Sequence, residues 1–160
     1  MPALGGCGSS PGPDAQNVVP GSTLIVAATA PLHGRDAALG RAVLAGERLA
    51  LAGAGGRAGR FRVRLVVRDS VDRGQIAWTP AQVADDARKA AQDQGTIADL
   101  GEVEPAASPV SVVILNQRGI AEVSPTDSFG GLTGQEGAEP GEPAKYYPRG
   151  NRTFARLVPD

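Results

Sequence analysis

Two hydrophobic periods alternate along this chain. Leu24-Ile25-Val26-Ala27-Ala28 is an unbroken apolar run that ends at Thr29-Ala30-Pro31, the pattern of a strand buried on both faces. After a loop with His33 and Gly34, the period lengthens to that of a helix. Asp36 supplies its N-cap, and Leu39, Val43, Gly46, Leu49 and Ala50 are expected on one buried side. Gly40 and Gly46 inside it each cost about 1 kcal/mol against Ala, which suggests a backbone pressed close to the sheet. The helix stops in Gly53-Ala54-Gly55-Gly56.

Phe61, Val63, Leu65 and Val67 then alternate with Arg62, Arg64 and Arg68, predicting a strand with one wet face at a sheet edge. Asp69-Ser70-Val71-Asp72 closes it. Thr79-Pro80-Ala81-Gln82 is a capping box with Pro in the first helical position, followed by the apolar face Val83, Ala84, Ala87, Ala90 and Ala91. Gly95 ends this helix. A strand is expected from Thr96 to Val103, a helix from Pro105 to Arg118 with Gly119 as its cap, and a strand from Ile120 to Val123. Residues 125–150 read as a long loop and Arg152–Val158 as a fifth extended segment.

Strands alternating with helices imply a three-layer α/β domain. Its parallel sheet should have flavodoxin-like or Rossmann-like order, with helices on both faces. Such sheets bind ligands beyond the carboxyl ends of their strands. That edge would carry residues 29–36, 69–73, 102–108 and 124–130.

The length, 160 residues, suits one domain. The net charge of -1 comes from basic and acidic residues scattered without blocks, so neither nucleic acid nor a charged membrane surface is an expected partner. No run approaches the ~18 apolar residues of a membrane span. Cys7 is the single cysteine, which excludes an internal disulfide. It stands in Leu4-Gly5-Gly6-Cys7, followed by Gly8-Ser9-Ser10-Pro11-Gly12-Pro13. This is the cleavage-box pattern of bacterial lipoproteins with a flexible tether over residues 1–22, or a chance string in a glycine-rich chain. Only Met1-Pro2-Ala3 precede the box, so a trimmed signal or a start codon placed too late is expected.

Catalysis finds no foothold. Gly53-Ala54-Gly55-Gly56-Arg57-Ala58 has dinucleotide-fingerprint spacing, but it follows a helix and precedes a strand, the reverse of what the fingerprint needs. No phosphate loop and no G-x-S-x-G elbow are present. His33 is the single histidine, so metal chemistry lacks its usual ligands. Asp69 and Asp72 suit a strand-end turn, and Asp85-Asp86 suit the first turns of a helix. No cofactor and no metal are expected. Two stretches look purposeful. Glu104-Pro105-Ala106-Ala107-Ser108 would open a helix directly after a strand, with free N–H groups suited to a carboxylate. Ser124-Pro125-Thr126-Asp127-Ser128 would group hydroxyls at the same edge.

Residues 78–160 closely resemble substrate-binding proteins of branched-chain amino-acid ABC transporters of the actinobacterial type, which have the type I periplasmic-binding fold. The resembling stretches are Trp78-Thr79-Pro80, Ala87-Arg88-Lys89-Ala90-Ala91-Gln92-Asp93, Thr96-Ile97-Ala98, Leu100-Gly101-Glu102 and Ile114-Leu115-Asn116. Val123-Ser124-Pro125, Gly131-Leu132-Thr133, Glu142-Pro143, Lys145-Tyr146-Tyr147-Pro148 and Arg152-Thr153-Phe154-Ala155-Arg156 complete them. Residues 23–69 match more loosely.

The resemblance implies an N-terminal ligand-binding lobe over residues 23–160, with a second lobe absent. It implies a non-enzymatic receptor that delivers an amino acid, branched-chain by default, to the permease of an ABC importer. Cys7 would be the lipidation site, and the lipid the only membrane contact. That places the protein outside the cytoplasm, on the outer face of the cell membrane or in a periplasm. The residues implied to face ligand are the Ala106 and Ala107 N–H groups, the Ser108 and Ser128 hydroxyls and the Thr126 backbone. The chain departs from the family at Pro105, which replaces a hydroxyl residue, at Leu39, which replaces an aromatic, and at Asp99, which replaces an apolar or aromatic strand residue. A sensory ectodomain or regulatory module with the same lobe is the alternative. An enzyme of flavodoxin-like or Rossmann-like topology comes last.

Overall fold

The computed structural model describes Val19, residues 21–134 and residues 138–159. Cys7 and nearly all of the expected tether lie outside the described residues. In chain order the elements are β1 (Thr23–Ala30), α1 (Ala37–Gly53), β2 (Arg57–Ala58), β3 (Phe61–Asp69) and α2 (Pro80–Gln92). Then come β4 (Thr96–Leu100), α3 (Ser108–Asn116), β5 (Ala121–Ser124) and β6 (Phe154–Arg156).

The strands form one sheet in the order β2-β3-β1-β4-β5-β6. The pairings β3/β1, β1/β4, β4/β5 and β5/β6 are parallel. Only β2 runs antiparallel, turning back on β3 through Arg57↔Arg62 and Ala58↔Phe61. Without that short hairpin the order is the doubly wound one expected from the alternation of strands and helices. The chain moves from β1 to β3 on one side, then crosses back to β4 on the other. Right-handed crossovers therefore put α1 on one face and α2 with α3 on the other. Accordingly α2 and α3 pack against each other, and α1 packs on β1.

Small side chains let α2 and α3 lie close to the sheet. Ala27, Ala87, Ala90, Leu115 and Ile120 form one buried cluster between them. A second cluster, Val112, Leu132, Tyr146 and Tyr147, fixes the long loop against α3. The described parts of this loop, residues 125–134 and 138–150, thus hold more structure than their Gly/Pro content suggests. They contain 3-10 turns at Gly130–Leu132 and Ala144–Tyr146, and the Tyr147 hydroxyl donates to the Leu132 carbonyl at 2.7 Å.

Several sequence expectations shift. β3 is an edge strand for most of its length, as expected, but β2 covers its first residues; the glycine turn at 53–56 leads into that hairpin. The buried stripe of α1 is Ala37, Gly40 and Leu44, whereas Leu39 is 47% and Leu49 75% exposed. This helix carries apolar residues around most of its circumference, so periodicity alone does not fix its rotation. Asp36 sits at the N-cap but makes no side-chain cap bond; its carboxylate takes the Arg35 Nε–H instead. In α2 the Thr79 hydroxyl accepts from the Gln82 N–H at 3.2 Å, as a capping box requires. Gln82 does not return the bond. Its amide reaches the Asp69 carbonyl and the Asp86 carboxylate, tying α2 to the end of β3. β4 ends at Leu100 rather than Val103, and α3 begins at Ser108 rather than Pro105.

Candidate functional site

The strand order reverses between β1 and β4, and in sheets of this kind ligands bind beyond the carboxyl ends of the strands at such a point. Thr29-Ala30-Pro31 and Gly101–Ala107 are the segments that leave the sheet there. The two segments pack closely: a Cβ on Gly101 would stand 2.8 Å from the Thr29 carbonyl oxygen, so no side chain fits there. On the far side of β1, Asp69 clasps the 31–36 loop. Its carboxylate accepts from the Leu32 N–H at 2.8 Å and from the Val71 N–H at 3.2 Å, and its other oxygen meets His33 Nδ1. His33, placed in a loop by the sequence, and Asp69, placed in a strand-end turn, thus act together to fix this loop.

The two stretches expected to hold ligand are adjacent. The Ser124 hydroxyl donates to the Glu102 carbonyl at 2.5 Å, and the Thr126 hydroxyl donates to the Val103 carbonyl. Ser124 Oγ also accepts from the N–H groups of Thr126 and Asp127, so one buried hydroxyl organises both turns. The Ser70 hydroxyl contacts Glu104 at 3.4 Å and brings the end of β3 to the same edge.

The individual groups differ from expectation. Ala106 has φ 68°, a left-handed backbone that keeps it out of the helix. The Ala107 N–H is taken by the Glu104 carbonyl at 3.2 Å, so it is not a free donor. The helix opens three residues later than expected because Pro109, not Pro105, lies in its first turn. Ala106 and Ser128 are exposed, Thr126 is half-buried, and Ala107 and Ser108 are buried. The hydroxyl and N–H of Thr126 are both committed to neighbouring turns.

Sequence reasoning missed the acidity beneath this edge. Asp99, Glu102 and Glu122 are each 1% exposed, and Glu104 and Asp127 are also buried. Burial pushes the Asp99 carboxyl up to about 6, against the pull of the Thr29 hydroxyl, which donates to both its oxygens. Burial raises Glu102 and Glu122 well above the usual carboxyl range, and the neighbouring Asp99 adds to both. Glu104 is raised too, again chiefly by burial. The departure from an apolar or aromatic residue at Asp99 was the one sequence signal of this cluster.

Among the described residues no group of His, Cys, Asp and Glu is arranged to hold a metal ion. No helix among them is long and apolar enough to cross a membrane.

Comparison with known proteins places the fold. No family model matches the chain, and no curated protein matches it. Solved structures do. The chain is similar to a leucine-binding protein from Thermotoga maritima, with 21% identity and a TM-score of 0.64 over 85% of this chain and 33% of that one. It is similar to a putative branched-chain amino-acid ABC transporter protein from Rhodospirillum rubrum, with 24% identity and a TM-score of 0.62 over 85% and 34%. A solute-binding protein of an ABC transporter from Rhodopseudomonas palustris, solved with 3,4-dihydroxybenzoic acid, shares 13% identity with a TM-score of 0.66 over 85% and 32%. The mostly parallel α/β sheet is therefore that of a lobe of the type I periplasmic-binding fold. The chain spans about a third of the length of the solved structures it matches.

Proposed function

We propose that this chain is the N-terminal lobe of an extracytoplasmic solute-binding protein. The protein would deliver a small organic ligand, branched-chain amino acid by default, to the permease of an ABC importer. It performs no catalysis. The observation that carries the proposal is the joining of turns 102–108 and 124–128 by Ser124 and Thr126 at the strand-order reversal of this fold. Ala106 and Ser128 are exposed there, Thr126 is half-buried, and Ala107 and Ser108 are buried beside them. Solved neighbours carry isoleucine in one case and benzoates in others, which supports a carboxylate-bearing ligand. A second lobe would close over it. Lipidation of Cys7 would hold the protein at the outer face of the membrane.

A single lobe offers only a few hydrogen bonds, each worth about 1 kcal/mol net, against several kcal/mol lost in ordering a ligand. Binding by this chain alone should therefore be millimolar or weaker. Titration of the isotope-labelled chain with isoleucine, leucine and benzoate tests this through amide chemical shifts. Shifts concentrated in residues 102–108 and 124–128 are expected. Shifts confined to another surface, or none at the highest soluble concentration, would overturn the site. A dissociation constant below about 10 μM, near -7 kcal/mol, would overturn the two-lobe reading.

A further inference from the structure

Asp99 and Glu122 are registered partners on the neighbouring strands β4 and β5, so their side chains leave the same face of the sheet. That row also holds Ala27 and Phe154 and faces α2 and α3. Glu102 follows β4 directly. All three carboxyls are 1% exposed, and no cation forms an ion pair with any of them among the described residues.

The groups that face them are few. β1 offers the Thr29 hydroxyl to Asp99. β3 contributes Arg68, whose charge eases the ionisation of Asp99, and α2 contributes Asp86, whose charge opposes it. Glu47 on α1 carries a carboxyl raised to about 7 by burial and then by Asp99. From α3 the hydroxyls of Ser108 and Ser111 lie near Glu122, but Ser111 donates to the Ser108 carbonyl at 3.3 Å and both Glu122 oxygens lack a hydrogen-bond donor among the described residues. Glu104 and Asp127 add negative charge from the two turns, and the Tyr147 phenol lies near Glu122. Buried carboxyls so surrounded keep their protons or force the structure to open.

We propose that Asp99, Glu102 and Glu122 make the edge of this lobe a proton-linked switch, packed while they hold their protons and loosened when they ionise. The coupling to the edge is direct. The Glu102 carbonyl holds the Ser124 hydroxyl that organises both turns, and Glu122 lies under the first turn of α3. Only the description of this edge as ligand-binding rests on the proposed function. The switch itself is a property of the folded chain.

The sign follows from linkage. The folded state holds protons that the unfolded chain has released, so the stabilisation is complete below the ordinary carboxyl range, near pH 4. It is lost as pH rises through about 6 for Asp99, and through the raised range, well above the usual carboxyl one, of Glu102 and Glu122. Urea unfolding of the 160-residue chain from pH 4.5 to 8.5 reads this directly. Near pH 5 folding should take up most of one proton for each of Asp99, Glu102, Glu122 and Glu47, at least about three in all, and each of Asp99→Asn and Glu122→Gln should remove most of one. Amide exchange at residues 102–111 should quicken with pH beyond its intrinsic dependence, and less so in the variants. Asp85→Asn, at an exposed site on α2, should leave the slope unchanged. Infrared difference spectroscopy of the native chain at pH 6 needs no variant to fold: it should show protonated carboxylic acid that disappears on unfolding. A flat urea profile, or no such infrared band, would overturn the proposal. So would variants that keep the wild-type slope.

Discussion

Gly40 and Gly46 both lie inside α1, and a helix gains about 0.8–1 kcal/mol when an interior Gly becomes Ala. The structure separates them. A Cβ on Gly46 would meet nothing within 4 Å, whereas one on Gly40 would stand 2.0 Å from the Pro31 carbonyl oxygen and 2.8 Å from its carbon. Neither side can yield easily. Gly40 N–H is bonded to the Asp36 carbonyl at 3.0 Å, and Pro31 is buried at the end of β1. Overpacking of this kind costs about 1–3 kcal/mol, and a 2.0 Å approach to backbone belongs at the upper end. Subtracting the propensity gain leaves Gly40→Ala destabilised by about 2 kcal/mol, while Gly46→Ala gains up to about 1 kcal/mol. For a domain of this size each kcal/mol moves the melting midpoint by roughly 2–4 °C. Circular dichroism melts should show Gly40→Ala about 4–8 °C below wild type and Gly46→Ala about 2–4 °C above it. A Gly40→Ala variant as stable as wild type, or two variants that fall equally, would refute the packing of α1 against the 31–36 loop.

Asn116, fully buried, donates to the Asn151 carbonyl at 2.8 Å and to Thr153 Oγ1 at 3.1 Å, and accepts from the Arg149 N–H at 3.0 Å. Asn116→Ala should cost about 2–4 kcal/mol in urea unfolding and expose the 149–153 segment to proteolysis; a loss below about 0.5 kcal/mol would contradict that role. In cells that attach lipid to the native gene product, a palmitate analogue should label the protein and Cys7→Ala should abolish both label and membrane retention. Label that survives the substitution would contradict lipidation at Cys7.

The local signals in the sequence were strong where one short stretch decides an element. The apolar run at Leu24–Ala28 became the central strand β1. Thr79 and Pro80 fixed the start of α2, and the alternation in Phe61–Val67 made β3 an edge strand over most of its length. The order of elements then sufficed for the doubly wound sheet, because crossover handedness leaves little freedom. The edge where turns 102–108 and 124–128 meet followed from the same rule.

Other properties depended on which distant residues meet, and no local pattern encodes that. The rotation of α1 was set by Pro31 and β1, because the helix offers apolar residues on more than one side. Two prolines competed to start α3. Pro109 prevailed once Ala106 turned left-handed and the Glu104 carbonyl took the Ala107 N–H. Asp99 and Glu122 are 23 positions apart in the chain; the sequence marked Asp99 as a departure from the family but gave no sign that Glu122 would lie beside it. Only the parallel register of β4 and β5 makes them neighbours, and only the cover of α2 and α3 removes them from water. Charge in a low-dielectric interior depends on that three-dimensional surrounding, so the sequence determined the fold, and tertiary packing decided the proton chemistry beneath its edge.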